Sequence, residues 1–206
     1  MAKKLKIGVL ISGNGSNLQA IIDCCAADTL AADISCVISN KAGAYALERA
    51  QNHGIPALHV DHRLFSGRES YDAEVVNILH AHGVELVILA GFMRIITPVL
   101  LTAFPHAVMN IHPALLPSFP GLHAQKQALD YGVKVTGCTV HFVDAGTDTG
   151  PIIMQAVVPV VEGDTEETLA ARIQKEEHRI YPEAIRLYAA GRLSVVGRKV
   201  LIAQSP

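Results

Sequence analysis

Short aliphatic, β-branched runs alternate with amphipathic stretches through the first half of the chain, and this alternation constrains the fold more than any single motif. Residues 5–12 give way to 18–27, residues 34–39 to 44–53, and residues 57–61 to 69–82. A strand, a helix and a further strand in succession specify a crossover unit, so the pattern predicts a parallel sheet with helices on both faces. Residues 86–92 form the most continuous apolar run, as expected of a central strand buried on both sides.

After that run the pattern changes. Residues 107–112, 137–143 and 151–160 read as further strands, and the last two are separated by only residues 144–150. That connection is too short for a helical crossover, which makes the pair antiparallel. Pro151 and Pro159 suit an edge or bulged position. A long helix follows, with Asp164 as N-cap, Glu167 as its capping-box partner, and Leu169, Ile173, Ile180, Ala184 and Leu187 on one face. Pro182 is expected to kink it or mark a restart. Gly191 ends it, and residues 193–202 read as a hairpin or an extended tail. With 206 residues, half of them apolar, the chain suffices for one sizeable core. The expectation is therefore a single-domain α/β fold, a mostly parallel, twisted, Rossmann-like sheet with an antiparallel C-terminal strand pair. Residues 1–105 form a first, βαβ half, 106–190 a second half, and 191–206 a tail.

Charge narrows the partners. Seventeen basic and nineteen acidic residues leave a net charge of -2, with no basic run beyond Lys3-Lys4, which points away from nucleic acid and anionic membranes and towards a small ligand. The opening MAKKLKIGVLIS superficially resembles a signal peptide, but its apolar stretch is short and runs directly into a glycine loop. Residues 86–93 fall far below the ~18 a membrane span requires. A cytoplasmic protein is expected. Cys24, Cys25, Cys36 and Cys138 show no paired metal-ligand spacing and no secreted-protein framework, so reduced thiols and no metal are expected.

The first strand opens into Ser12-Gly13-Asn14-Gly15-Ser16-Asn17 directly ahead of a helical pattern, where backbone N–H groups and a helix N-terminus converge on one place. The lysine of a nucleotide-triphosphate loop is missing. Leu18 stands where a dinucleotide fingerprint requires its third glycine, and Ser39-Asn40-Lys41 offers no acidic residue to a ribose. The loop is either a plain strand-to-helix turn or a cradle for a monophosphate ester. Ser16 and Asn17 favour the cradle, since both can donate to phosphate oxygens and Ser16 can cap the helix.

In MNIHPALLPSFPG, Asn110 and His112 are two residues apart, so on a strand both face the same side. An amide donor beside an imidazole suits a reacting carbonyl, and Pro113, Pro117 and Pro120 stiffen the exit at a strand's carboxyl end, where open α/β sheets bind ligands. Downstream, residues 144–148 carry Asp144 and Asp148. A carboxylate near His112 would orient it for proton transfer; the spacing leaves open whether Asp148 reaches it or caps a turn. His141 reads as an inward core residue, His178 as part of a polar stripe, and the other histidines as surface residues.

The combination resembles the folate-dependent formyltransferases. The match runs through ISGNGSNLQAII, SNKA, AGFMRI, NIHPALLPSFPGLHA, VHFVDAGTDTGPII and IQKEEHRIYP. NIHPALLP followed by Asp-Thr-Gly-Pro is specific to that group, and SGNGSN narrows it to the members acting on glycinamide ribonucleotide. The resemblance implies that Asn110, His112 and Asp148 are catalytic. It implies that Gly15, Ser16 and Asn17 hold the ribonucleotide's phosphate, and that Gln174, Lys175, Glu176 and Glu177 reach its ribose and glycinamide end. Arg68, Met93, Arg94, Ile95, Ile96 and Asn110, with Asp144, Ala145, Gly146, Thr147 and Asp148, are similar to the family's 10-formyltetrahydrofolate site. The implied partners are those two small molecules, with the protein a monomer or weak homodimer. Rival members, the methionyl-tRNA formyltransferases and formyltetrahydrofolate deformylases, carry an additional domain, for which 206 residues leave no room. A non-catalytic module sensing a phosphorylated metabolite is the alternative outside the chemistry.

Overall fold

The structure, a computed structural model, describes residues 3–204; Met1 and Ala2 of the opening segment and the last two residues of the expected tail lie outside them. The chain divides into two compact units, one ending at Asn110 and the other beginning at Ile111.

In the first unit β1 (Leu5–Ile11), α1 (Ser16–Ala26), β2 (Ala32–Ser39), α2 (Tyr45–Asn52) and β3 (Ala57–His59) follow the expected alternation. α3 (Arg68–Ala81), β4 (Leu86–Leu89), α4 (Pro98–Ala103) and β5 (Val108–His112) complete it, β5 running across the division. The strands lie in the order β3-β2-β1-β4-β5 and every pairing is parallel, with Val9 opposite both Val37 and Ile88 and Leu89 opposite Asn110. Ile7, Val9, Leu10, Leu86, Val87 and Ile88 are fully buried, which accounts for runs that do not alternate. Each such side chain contributes about 1.5–3 kcal/mol through burial. The strand order reverses between β1 and β4, and a sheet of this kind binds ligands outside the carboxyl ends at the reversal. Those ends are the Ser12 to Asn17 loop and the segment after Leu89.

β4 stops short of the expected 86–92, which releases Gly91 to Ile96 as a loop. The short helix α4 was not expected, although Thr97-Pro98 places proline at its first turn, a common start. α1 begins at Ser16 with Gly15 as N-cap and no side-chain cap, so Ser16 does not have the capping role expected of it.

In the second unit α5 (Ala124–Tyr131), also not expected, precedes β6 (Val135–Phe142) and β7 (Ile152–Pro159). These two strands pair antiparallel, as the short connection requires, with a register shift between Val140 and His141. α6 (Glu166–Ala189) packs on both, burying Leu169, Ile173, Ile180, Tyr181, Ala184 and Ile185. It runs through Pro182 without a restart. Its N-cap is Thr165, whose Oγ1 accepts from the Thr168 N–H at 3.3 Å. The expected cap, Asp164, instead accepts from the Thr168 hydroxyl and from Arg172, because a residue just before the cap reaches side chains more readily than the helix N–H groups. β8 (Leu193–Val196) and β9 (Lys199–Ile202) form the hairpin, and β9 runs parallel to β7 through Ile152↔Lys199.

Candidate active site

In the second unit the end of β5 presents His112, only 4% exposed. Its Nδ1 lies 3.3 Å from Asp148 Oδ2, and its Nε2 lies 2.8 Å from the Phe119 carbonyl oxygen. Both neighbours are acceptors, so a ring carrying a proton on each nitrogen satisfies both. The carboxylate therefore does close on the imidazole, which spacing alone left open.

Asp148 is held from three directions. Besides His112, the Gly121 N–H donates to Oδ2 at 2.8 Å, and His141 Nε2 stands 3.7 Å from Oδ1. Burial pushes the carboxyl up, but His141, the Gly121 N–H and the charge of His112 outweigh it and leave the group below its ordinary value. His141 donates from Nδ1 to the Phe142 carbonyl at 2.9 Å, which fixes its ring. It is buried, as the sequence suggested, but it belongs to this cluster. The register shift beside it is the cause, since a bulge changes where the following side chain is aimed.

Two further features show that the backbone is bent to build this arrangement. Asp148 has φ 55° and Phe119 φ 54°, left-handed conformations that cost a non-glycine residue about 1–3 kcal/mol. One supplies the carboxylate and the other the carbonyl that hold His112. At Gly150 a side chain would run into the Phe142 carbonyl, so glycine is what allows the 144–150 connection to close so tightly. Asp144 orders the tip of that connection, accepting from the Gly146 N–H at 3.1 Å and the Thr149 hydroxyl at 2.6 Å. Ala145, Gly146 and Thr147 are exposed.

On α6, Gln174 and Lys175 are exposed, Glu176 pairs with Arg179 at 2.7 Å, and Glu177 is buried.

In the first unit the glycine loop and the segment after β4 are joined. Ser12 N–H donates to the Gly91 carbonyl at 3.1 Å, and Ser12 Oγ accepts from the Met93 N–H at 2.9 Å while donating to Asn40 Oδ1 at 2.6 Å. The far end of the segment is tied by the Thr97 N–H, 2.6 Å from Asp72 Oδ2. Between these anchors Arg94 lies 4.7 Å over the Tyr71 ring, Met93 and Ile95 are exposed, and Ile96 is buried. Arg68 is exposed at the start of α3. Gly15 has φ 81°, and a Cβ there would stand 2.8 Å from that of Ala46, so the loop turns onto α2 only because the residue is glycine. Ser16 and Asn17, half-buried, begin α1, and Asn110, also half-buried, lies in β5 opposite Leu89.

The first unit can hold an anion on the backbone N–H groups of the glycine loop and a flat, partly apolar molecule on Met93 and Ile95; in the second, His112 can move or share a proton. Among the described residues no helix is long and apolar enough to cross a membrane.

The family model described as formyl transferase matches residues 5–185. The phosphoribosylglycinamide formyltransferase of Escherichia coli K12 is 47% identical over 191 residues, 93% of this chain and 90% of that protein. The trifunctional purine biosynthetic protein adenosine-3 of Drosophila pseudoobscura is 52% identical over 91% of this chain, which spans 14% of that longer protein. A crystal structure of glycinamide ribonucleotide transformylase 1 from Symbiobacterium toebii has a TM-score of 0.98 and 57% identity, covering 99% of this chain and 96% of that one. The chain belongs to the formyl transferase family, in its phosphoribosylglycinamide formyltransferase branch.

Proposed function

We propose that the protein transfers the formyl group of 10-formyltetrahydrofolate to the amine of N1-(5-phospho-D-ribosyl)glycinamide, yielding the formylated ribonucleotide and tetrahydrofolate for purine biosynthesis. The observation that carries this reading is the buried His112 imidazole clasped at 3.3 Å by Asp148. A pair of that kind is built to manage a proton near a reacting carbonyl.

The amine attacks the formyl carbon, forming a C–N bond and turning the carbonyl oxygen into an oxyanion. Collapse breaks the bond to the folate nitrogen, which takes up the proton the amine gives up. Asn110 donates its amide to the oxyanion, a contribution of about 3 kcal/mol for an oriented donor. His112 donates to the same oxygen from Nε2, with the formyl oxygen taking the place that the Phe119 carbonyl holds at 2.8 Å. Asp148 orients the imidazole through Nδ1 and relays the amine proton, directly or through water. These steps call on amide, imidazole and carboxylate alone.

Gly15, Ser16 and Asn17 hold the phosphate, with Gln174, Lys175, Glu176 and Glu177 towards the ribose and glycinamide. Met93, Arg94, Ile95, Ile96, Asn110 and the Asp144 to Asp148 connection contribute to the folate site, and the Arg94 guanidinium rests on the Tyr71 ring. Arg68 takes a glutamate carboxylate. In this reading residues 1–105 are the phosphate-binding half and 106–190 the catalytic and folate half, and the enzyme works in the cytoplasm as a monomer or weak homodimer.

Mixing the protein with glycinamide ribonucleotide and 10-formyltetrahydrofolate and following the ribonucleotide by mass tests the reading. A gain of one formyl group supports it. Release of formate with the ribonucleotide unchanged identifies water as the acceptor, a deformylase reaction, and binding without turnover identifies a sensing module.

A further inference from the structure

The loop from Ser12 to Asn17 contains no cation of its own, yet a guanidinium is seated against it. Arg49, on α2, donates from Nε to the Asn14 carbonyl at 2.9 Å and from Nη2 to the Asn14 side-chain oxygen at 3.0 Å. Its Nη1 donates to Gln19 Oε1, on α1, at 3.1 Å. The guanidinium also lies 4.7 Å from the centre of the Tyr45 ring, which fixes its plane. All three acceptors are neutral, so none of these contacts cancels the positive charge.

One peptide earlier, the Gly13 carbonyl accepts from the Ala46 N–H at 3.2 Å. In a trans peptide the C=O and the following N–H point in opposite directions. Tying the Gly13 and Asn14 carbonyls to α2 therefore turns the N–H groups of Asn14 and Gly15 away from it. Two successive N–H groups aimed to one side make an anion-binding nest, and the left-handed Gly15 is the residue such a nest requires. A cation on the carbonyl side polarises the Asn14-Gly15 peptide further in the same sense.

We infer that Arg49 is a positioning residue for the substrate phosphate: it sets the direction of the loop's N–H groups and places positive charge behind them. This rests on the phosphate reading of the glycine loop proposed above.

The test compares glycinamide ribonucleotide with its dephosphorylated analogue as formyl acceptors for the wild type, Arg49→Ala, Arg49→Lys and Tyr45→Leu. Equal use of the two acceptors by the wild type overturns the phosphate reading itself. Given a wild-type preference in kcat/KM, Arg49→Ala is expected to shrink it about tenfold, through KM for the phosphorylated acceptor far more than through kcat. Arg49→Lys should recover part of the loss, keeping the charge without the fork. Tyr45→Leu changes a ring that is 47% exposed, so it leaves the core untouched and should shift the preference in the same direction by a smaller factor. If Arg49→Ala does not fold, Arg49→Lys and Tyr45→Leu carry the test. A preference unchanged in the folded variants, or an equal loss towards both acceptors, overturns the inference.

Discussion

The glycine loop and the His112 cluster solve different problems with different parts. In the loop the groups proposed to meet the phosphate are peptide N–H dipoles, whose carbonyls are held from behind by Ala46 and Arg49. In the cluster they are side chains, each fixed by a partner: His112 by Asp148 and the Phe119 carbonyl, Asp148 by Gly121 and His141. A phosphate keeps its charge throughout the reaction, so fixed dipoles suffice to bind it. A formyl oxygen gains charge and the amine loses a proton as the reaction proceeds, which requires groups able to respond. The two regions should therefore fail differently, one through binding and the other through rate.

The largest effect is expected at His112. His112→Ala should lower kcat about a thousandfold with ribonucleotide affinity nearly intact, measured by steady-state kinetics alongside calorimetric titration. A variant that keeps most of its turnover would remove the cluster from the mechanism. Asp148→Asn should cost about a hundredfold in kcat, less because the amide oxygen still accepts from His112 Nδ1 while the carboxylate that relays the amine proton is gone. The same substitution should change the acid limb of stability. The folded carboxyl sits below its ordinary 3.8, so its stabilisation is complete above that value and disappears as pH falls through the lower folded value. Denaturant midpoints should fall with pH less steeply in Asp148→Asn than in the wild type over this acid window. Identical slopes would mean that the partners around Asp148 do not act on its charge.

The two regions were also unequally legible in the sequence. The loop is visible as glycines between an aliphatic strand and a helical pattern, and Ser16 and Asn17 are what favour a cradle over a plain turn there. Asn110 and His112 could be paired by strand periodicity, since only two residues separate them. Their partner needed the fold: Asp148 is far along the chain, and a spacing argument cannot close that distance. Alternation along the strand makes His141 read as an inward core residue, yet every position of β6 after Val135 is buried, so alternation does not assign it a face. A usable signal was present. Residue 141 lies at the end of the strand that enters a short antiparallel connection and residue 148 lies within that connection, which keeps the two close. Arg49 was missed for a different reason, since an arginine on a helix gives no sign of which carbonyls it reaches.

Smaller effects on the loop sharpen the contrast, because a site built from backbone should suffer more from an added methyl than from a lost side chain. Gly15→Ala places a Cβ 2.8 Å from that of Ala46 and forces a non-glycine residue to hold φ 81°. A cost of about 2 kcal/mol follows, read as a fall of about 4–8 °C in Tm, together with a raised KM for the ribonucleotide.

Asn17→Ala leaves the backbone as it is and should be the mildest of the four. Its expected signature is a rise of about tenfold or less in KM for the phosphorylated acceptor, with kcat changed by a smaller factor, since a lost donor to an anion weakens ground state and transition state alike. The KM for the folate should hold, because the Met93 segment keeps its anchors to Ser12 and Asp72. If kcat falls while the ribonucleotide KM stays put, the Asn17 amide is acting on the reacting atoms, and the division between a binding loop and a reacting cluster breaks at that residue.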